Sequence, residues 1–289
     1  MSSRAEPSSS APEASAMTDS PNPAIAKAAA TSPAWFQPRR TVRAPKASEF
    51  VARDLAAFII ERQLPDGTRL PIEREMLETL KVGRNTLREA LRLLETRGVI
   101  TVRPGRTGGP VVRRPRTHDL SEALVLLLAF ESASLSDVLH ARQAVEPMVA
   151  RLAAKRITAE QLAAMRDTID VMTHKAGDQV VFLEQNMLFH SLIAEASGNV
   201  VLRIVNETLK SISDGAAFGV QYSALRHRQV ASVHTRILLA LQKHDGDAAE
   251  AEMRAHLSDT GRYWQAKYGT LFNKPVRWHD YHKPEAARQ

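Results

Sequence analysis

The chain has 289 residues, 44% hydrophobic, 5% aromatic and 25% charged, a composition that suits a core of Leu, Ala, Val and Ile and leans towards helices. It contains no cysteine, which excludes disulfides, thiolate metal sites, iron–sulfur clusters and thiol nucleophiles and leaves His, Asp, Glu and Asn as candidate ligands. The formal net charge of +7 is concentrated: Arg39 to Arg116 carries 18 Lys or Arg against 9 Asp or Glu, so any attraction to a polyanion belongs to that segment.

Residues 1–46 are rich in Ser, Ala and Pro and hold no sustained period, which predicts a disordered tail. Its basic end, Arg39, Arg40, Arg43 and Lys46, serves either as a solvated lead-in or as an arm touching DNA phosphates. The start lacks the apolar core of a signal peptide, and the LVLLLAF run around Leu124 is far too short to cross a bilayer. No membrane span and a cytoplasmic location are therefore expected.

Residues 47–116 read as a compact head. Phe50, Val51, Leu55, Phe58 and Ile59 have helical spacing over 47–64, until Pro65, Asp66 and Gly67 interrupt it. A short second helix is expected after Pro71, with Glu73 and Glu75 near its positive end and Met76, Leu77 and Leu80 facing inward. Val82 and Gly83 make a turn, and Leu87, Leu91 and Leu94 mark a third helix from Arg84 to a glycine stop at Gly98. Two β-rich pieces, 99–103 and 111–113, flank PGRTGGP and predict a hairpin wing.

In a helix-turn-helix, a supporting helix braces a second helix whose first turns enter the major groove. Here Arg84, Asn85, Thr86 and Arg88 cluster at the opening of the third helix, while Leu87, Ala90, Leu91 and Leu94 form its packing side. Arg74 on the supporting helix has two open readings, a reach to DNA or a surface pair with a carboxylate. Arg106 in the wing suits a phosphate contact.

The stretch LPIEREMLETLKVGRNTLREALRLLETRGVITVRPGRTGG resembles the GntR family of regulators. Its landmarks are Glu73-Arg74, the R-x-x-x-R-E-A-L element from Arg84 to Leu91, and a basic glycine-rich wing. The resemblance implies DNA contacts at Arg74, Arg84, Thr86 and Arg88, with Asn85 beside them and Gly105 at the wing tip. Gly83 stands where Ser or Thr is commonly the cap, so the third helix should start without a side-chain cap.

From 117 to 267 amphipathic patterns recur at 119–131, 134–155, 159–173, 178–197, 199–214, 224–243 and 247–267, predicting an all-helical domain, followed by a tail over 268–289. Arg142 and Glu146 share a helical face and suit a structural pair, with a pocket-facing arginine as the other reading. Asn186 and His190 also stand one turn apart, and His234 and His256 fall on separate predicted helices. That spacing allows three imidazoles converging on an ion or buried histidines satisfied by hydrogen bonds.

Residues 117–267 further resemble the FCD effector domain of the FadR-type branch, on Arg142 and Glu146, Phe189-His190, Gly198-Asn199, His234, Gly246-Asp247 and His256-Leu257. The resemblance implies a Zn or Ni ion held by His190, His234, His256 and the residue at 186, where metal-containing relatives carry Asp and this chain carries Asn186. The exchange removes a negative charge, which weakens cation affinity and leaves the cavity more positive. Arg142, Asn186 and the three histidines then suit a small carboxylate-bearing effector, with acyl coenzyme A disfavoured. The fold expected is mainly α, a winged helix-turn-helix followed by a helical bundle. The function expected is a homodimeric regulator, often a repressor, on a palindromic operator. The alternatives are an architectural DNA-binding protein without an effector and a metal-dependent enzyme, for which no general base or nucleophile stands at a recognised spacing.

Overall fold

A computed structural model describes residues 46–105, 108–213 and 220–278. Apart from Lys46, the expected N-terminal tail over residues 1–46 lies outside the described residues.

The head begins with α1 (Ala47–Glu61), α2 (Glu73–Leu80) and α3 (Arg84–Thr96). Val51, Ala52 and Ile59 of α1 pack on Leu87, Ala90, Leu91 and Leu94 of α3, with Met76 of α2 closing the core. Phe50 and Phe58, expected inside, are each 46% exposed. They flank the buried stripe, and Phe50 lies under the Arg53 guanidinium instead. The first helix stops before the expected Leu64, because Gln63 takes a left-handed conformation. The opening of α2 is held by the Glu75 carboxylate, which accepts from the Ile72 backbone N–H at 3.3 Å. Helix α3 starts at Gly83 with no side-chain cap, as its sequence requires.

The wing is β1 (Ile100–Arg103) antiparallel to β2 (Gly109–Val112), in register from Ile100↔Val112 to Arg103↔Gly109. Pairing thus starts earlier on the second strand than the expected 111–113, since the two strands stay in step out to Gly109. Just before the wing, Gly98 has φ +71°, and a Cβ there would lie 2.8 Å from Asp119 Oδ2. Only glycine combines that backbone with that approach.

The remaining helices are α4 (Thr117–Phe130), α5 (Leu135–Ala154), α6 (Ala159–His174), α7 (Gln179–Ala196), α8 (Val200–Ile212), α9 (Ala224–Gln242) and α10 (Gly246–Phe272). Most start at a short polar side chain that accepts a backbone N–H: Ser134, Thr158, Asp178, Asn199, Ser223 and Asp245. Helices α5 and α10 lie along each other at the centre, with α6, α7, α8 and α9 packed around them and α4 on α8. The expected end of the bundle at 267 falls inside α10. That helix continues to Phe272, and Val276 beyond it is buried and donates its N–H to the Ala133 carbonyl at 2.8 Å. Two apolar anchors thus draw the first part of the expected tail onto the start of α5. No helix among the described residues is long and apolar enough to cross a membrane.

Candidate nucleic-acid interface and effector cavity

At the opening of α3, Arg84, Asn85 and Arg88 are exposed and Thr86 is half-buried, while the apolar side of the same helix is sealed in the core. Arg74 on α2 is exposed and, among the described residues, has no ion-pair partner; the carboxylate beside it, Glu73, pairs instead with Arg88, Nε to Oε1 3.0 Å. Gly105 sits exposed at the wing with φ +103°. Arg106 lies outside the described residues. Wing and bundle are tied together by Asp119 of α4, which accepts from Arg113 Nη2 at 2.8 Å and from the Arg116 backbone N–H at 2.7 Å.

The second constellation is internal. His190 of α7, His234 of α9 and His256 of α10 are all buried, and one ring nitrogen from each lies within 4.8 Å of the others. Phe189 stacks on the His234 ring at 4.0 Å between centroids and fixes its plane. His190 Nδ1 bonds Glu146 Oε2 at 2.6 Å, so its proton sits on that side and Nε2 presents a lone pair. Glu146 also accepts from Arg142 Nε at 2.5 Å, and Arg142 Nη1 reaches Ser213 Oγ at 3.0 Å.

The electrostatics follow from burial. His190 is pushed down to about 4 by desolvation and by the Lys210 ammonium, against the opposing pull of Glu146. Burial, reinforced by the neighbouring rings, holds His234 and His256 well below the ordinary imidazole range. Burial opposes ionisation of Glu146, but Arg142, His190 and Lys210 outweigh it and keep the carboxyl well below its usual range. The three imidazoles are therefore neutral at pH 7, the form that coordinates a metal.

Among the described residues, His190 Nε2 and both nitrogens of His234 are buried without a hydrogen-bond partner. Orphaned neutral donors gathered at one point fit a divalent ion such as Zn²⁺ or Ni²⁺ far better than they fit a structural role, which would leave their desolvation uncompensated. An adjoining cavity is lined by Arg142, Asn186, His190, Lys210, Tyr222, Arg226 and His256 among others.

Residues 47–107 match the bacterial regulatory proteins of the gntR family, and residues 137–259 match the FCD domain. The chain is 30% identical to a solved Streptococcus agalactiae GntR structure, covering 74% of this chain and 99% of that one, with a TM-score of 0.55. This chain belongs to the GntR family, with an FCD domain. It is also 28% identical over 233 residues to the HTH-type transcriptional repressor NanR of Cronobacter sakazakii, covering 79% of this chain and 89% of that protein. The Escherichia coli protein of that name is 27% identical over 240 residues, covering 81% and 90%.

As a GntR/FCD protein it is a sequence-specific DNA-binding transcriptional regulator and not an enzyme, in a family of typically repressors under small-molecule control. The expected convergence of His190, His234 and His256 is met, and Asn186 and Arg142 border the same cavity. Arg142 meets both readings at once, since it forms a buried ion pair with Glu146 and also lines the cavity. Reading the sequence alone missed Lys210, Tyr222 and Arg226, and it named Glu73 without its pairing to Arg88. Each had a signal only in retrospect: Lys210 and Arg226 occupy inward positions of amphipathic helices, which a helical period cannot identify until the packing partner is known.

Proposed function

We propose that residues 47–116 of this GntR/FCD regulator read one half of a palindromic operator within a homodimer. Residues 117–267 hold a divalent ion and a small carboxylate effector whose occupancy weakens operator binding. Arg84, Asn85, Thr86 and Arg88 supply the base-reading surface, and Arg74, Gly105 and Arg106 contact the backbone. Action on the chromosome goes with a cytoplasmic location.

The observation that carries the effector half is the set of orphaned imidazole nitrogens beside a cavity lined by Arg142, Lys210 and Arg226. His190, His234 and His256, with the Asn186 carboxamide, would hold the ion, which would supply a cationic seat for a carboxylate. Glu146 fixes the His190 tautomer from behind, as outer partners of metal-bound histidines do. Arg142 keeps its guanidinium at the cavity wall by leaning on Glu146 and Ser213. A modest change in the bundle reaches the head through the Asp119 contacts, and two linked heads amplify it, because loss of simultaneous engagement removes the local-concentration gain of the second half-site.

The test is metal analysis of protein purified without a polyhistidine tag, then calorimetric titration with Zn²⁺. Asn186→Asp is expected to tighten uptake and His234→Ala to weaken it. Lack of uptake by wild type and Asn186→Asp alike rejects the metal reading. An acid that lowers affinity for a full palindrome but not for a half-site supports the coupling.

A further inference from the structure

Glu95 stands in the last turn of α3, where the helix dipole disfavours an acid and where the helix carries no base. Its carboxylate has a partner outside the helix: Oε1 accepts the Val102 backbone N–H of β1 at 2.8 Å. The register of the wing leaves that N–H without a strand partner. Arg113 donates its N–H to the Val99 carbonyl at 2.9 Å, so by alternation Val99, Thr101 and Arg103 turn their backbone groups towards the second strand and Val102 turns its own away. Val102 lies opposite Pro110, which has no N–H to give, and the Pro110 carbonyl accepts from the Leu70 N–H at 3.0 Å on the far side of β2.

Only the first residue of β1 is anchored in the head core. Ile100 is sealed there, whereas Thr101, Val102 and Arg103 are exposed. The Glu95 bond joins this exposed stretch back to α3. Arg103 ends the stretch, and among the described residues its guanidinium has no hydrogen-bond or ion-pair partner. It borders a surface depression shared with Arg69 and free of any acid, a setting that suits a phosphate oxygen.

We infer that Glu95 is a positioning residue for DNA binding: it holds β1 against α3, so that the Arg103 guanidinium meets a DNA phosphate while the opening of α3 lies in the groove. The inference rests on the proposed placement of α3 as the base-reading helix. DNA is stiff over the few base pairs that separate a recognition helix from its wing, so both contacts form together only where the protein fixes their spacing beforehand. A strand free to pivot has to be ordered on binding, and the gain of the phosphate contact is then offset by that ordering. A carboxylate on a DNA-binding head also repels the duplex, so its benefit there lies in the bond it makes.

The test is the salt dependence of binding to a duplex that the wild-type chain selects from a random-sequence pool. Arg103→Gln is measured in wild type, in Glu95→Ala and in Glu95→Gln. Both positions are exposed, and thermal melts are expected to show every variant folded. In wild type, Arg103→Gln should reduce the slope of log affinity against log salt by about one, the loss of one phosphate contact. In Glu95→Ala the same exchange should reduce it by about half as much or less, since two coupled groups do not add. Glu95→Gln removes the same charge as Glu95→Ala but keeps an acceptor oxygen, so it should restore the full effect of Arg103. A wild-type slope indifferent to Arg103→Gln overturns the inference, and that measurement needs no Glu95 variant. An equal Arg103 effect in Glu95→Ala and wild type overturns it too, as does a Glu95→Gln variant that behaves like Glu95→Ala. Arg84→Ala, titrated on the selected duplex and on a scrambled one, reports separately on α3. Unchanged discrimination in that variant overturns the placement of α3 and the inference with it, whereas lost discrimination beside equal Arg103 effects overturns the role of Glu95 alone.

Discussion

Glu73 on α2 holds Arg88 on α3, with the guanidinium Nε 3.0 Å from one carboxylate oxygen and 3.3 Å from the other. Both side chains are substantially exposed, so the pair adds well under ~1 kcal/mol to stability. Its consequence is positional, because it holds in place before DNA arrives an arginine that the proposed function assigns to base reading. Arg88→Ala is expected to remain folded and to lose about 1–3 kcal/mol of operator discrimination. Glu73→Gln should keep the melting temperature, bind random DNA more tightly with a steeper salt dependence, and discriminate less well. Fluorescence titration against operator and scrambled duplexes across salt checks both; unchanged discrimination in the two variants places the reading surface elsewhere.

Glu146 satisfies two buried cationic or donor partners at once, Arg142 and His190. Its loss leaves the arginine charge unpaired, which costs on the order of 3–5 kcal/mol for a buried pair. Glu146→Gln is expected to destabilise towards that range in urea denaturation. It should also lower Zn²⁺ affinity about 10- to 100-fold, because the His190 ring loses its charged partner and the single amide oxygen cannot accept from Arg142 and His190 as the two carboxylate oxygens do. A variant with wild-type metal affinity would show that the His190–Glu146 contact does not tune the site.

Acid should destabilise the metal-free protein through its histidines. The folded chain keeps His190 neutral down to about pH 4, whereas an unfolded imidazole takes a proton near ~6.5. Between those values the unfolded state binds more protons, so stability falls as pH drops from ~6.5 towards 4. His234 and His256, also shifted down, act in the same direction. Glu146, with its lowered value, adds a further loss at more acidic pH as it is protonated. Urea curves of chelator-treated protein at pH 7.5 and 5.5 should show the drop, and His234→Phe should shrink it by removing one titrating ring. An equal drop in that variant counts against the assignment.

The outer side of α4 leaves Leu127 and Phe130 exposed at 62% and 80%, and the neighbouring face of α8 exposes Val201. Exposed apolar side chains on two helices that pack together suit burial against a second copy, in the homodimer proposed above. Leu127→Asp with Phe130→Asp is expected to shift the full chain from dimer to monomer in sedimentation at micromolar concentration and to lower affinity for a full palindrome more than for a half-site. A double variant that sediments as wild type moves the interface to another face.

Much of this protein is written locally. Helix starts were legible because a capping side chain and a 3.6-residue period act within a few residues, as at Ser134, Asn199 and the apolar face of Leu87, Leu91 and Leu94. The division of α3 into an exposed polar opening and a buried apolar side was legible for the same reason, since both follow from one helical period. Tertiary packing decided what no period contains. Glu146 and His190 lie 44 residues apart and meet only because α5 and α7 pack together. Packing in the bundle turns Lys210 and Arg226 inward and draws Phe272 and Val276 onto it, while packing in the head leaves Phe50 and Phe58 beside the buried stripe of α1. Amphipathicity states which side of a helix prefers burial, whereas the partner covering that side, and hence which polar groups lose water together, depends on how the helices cross.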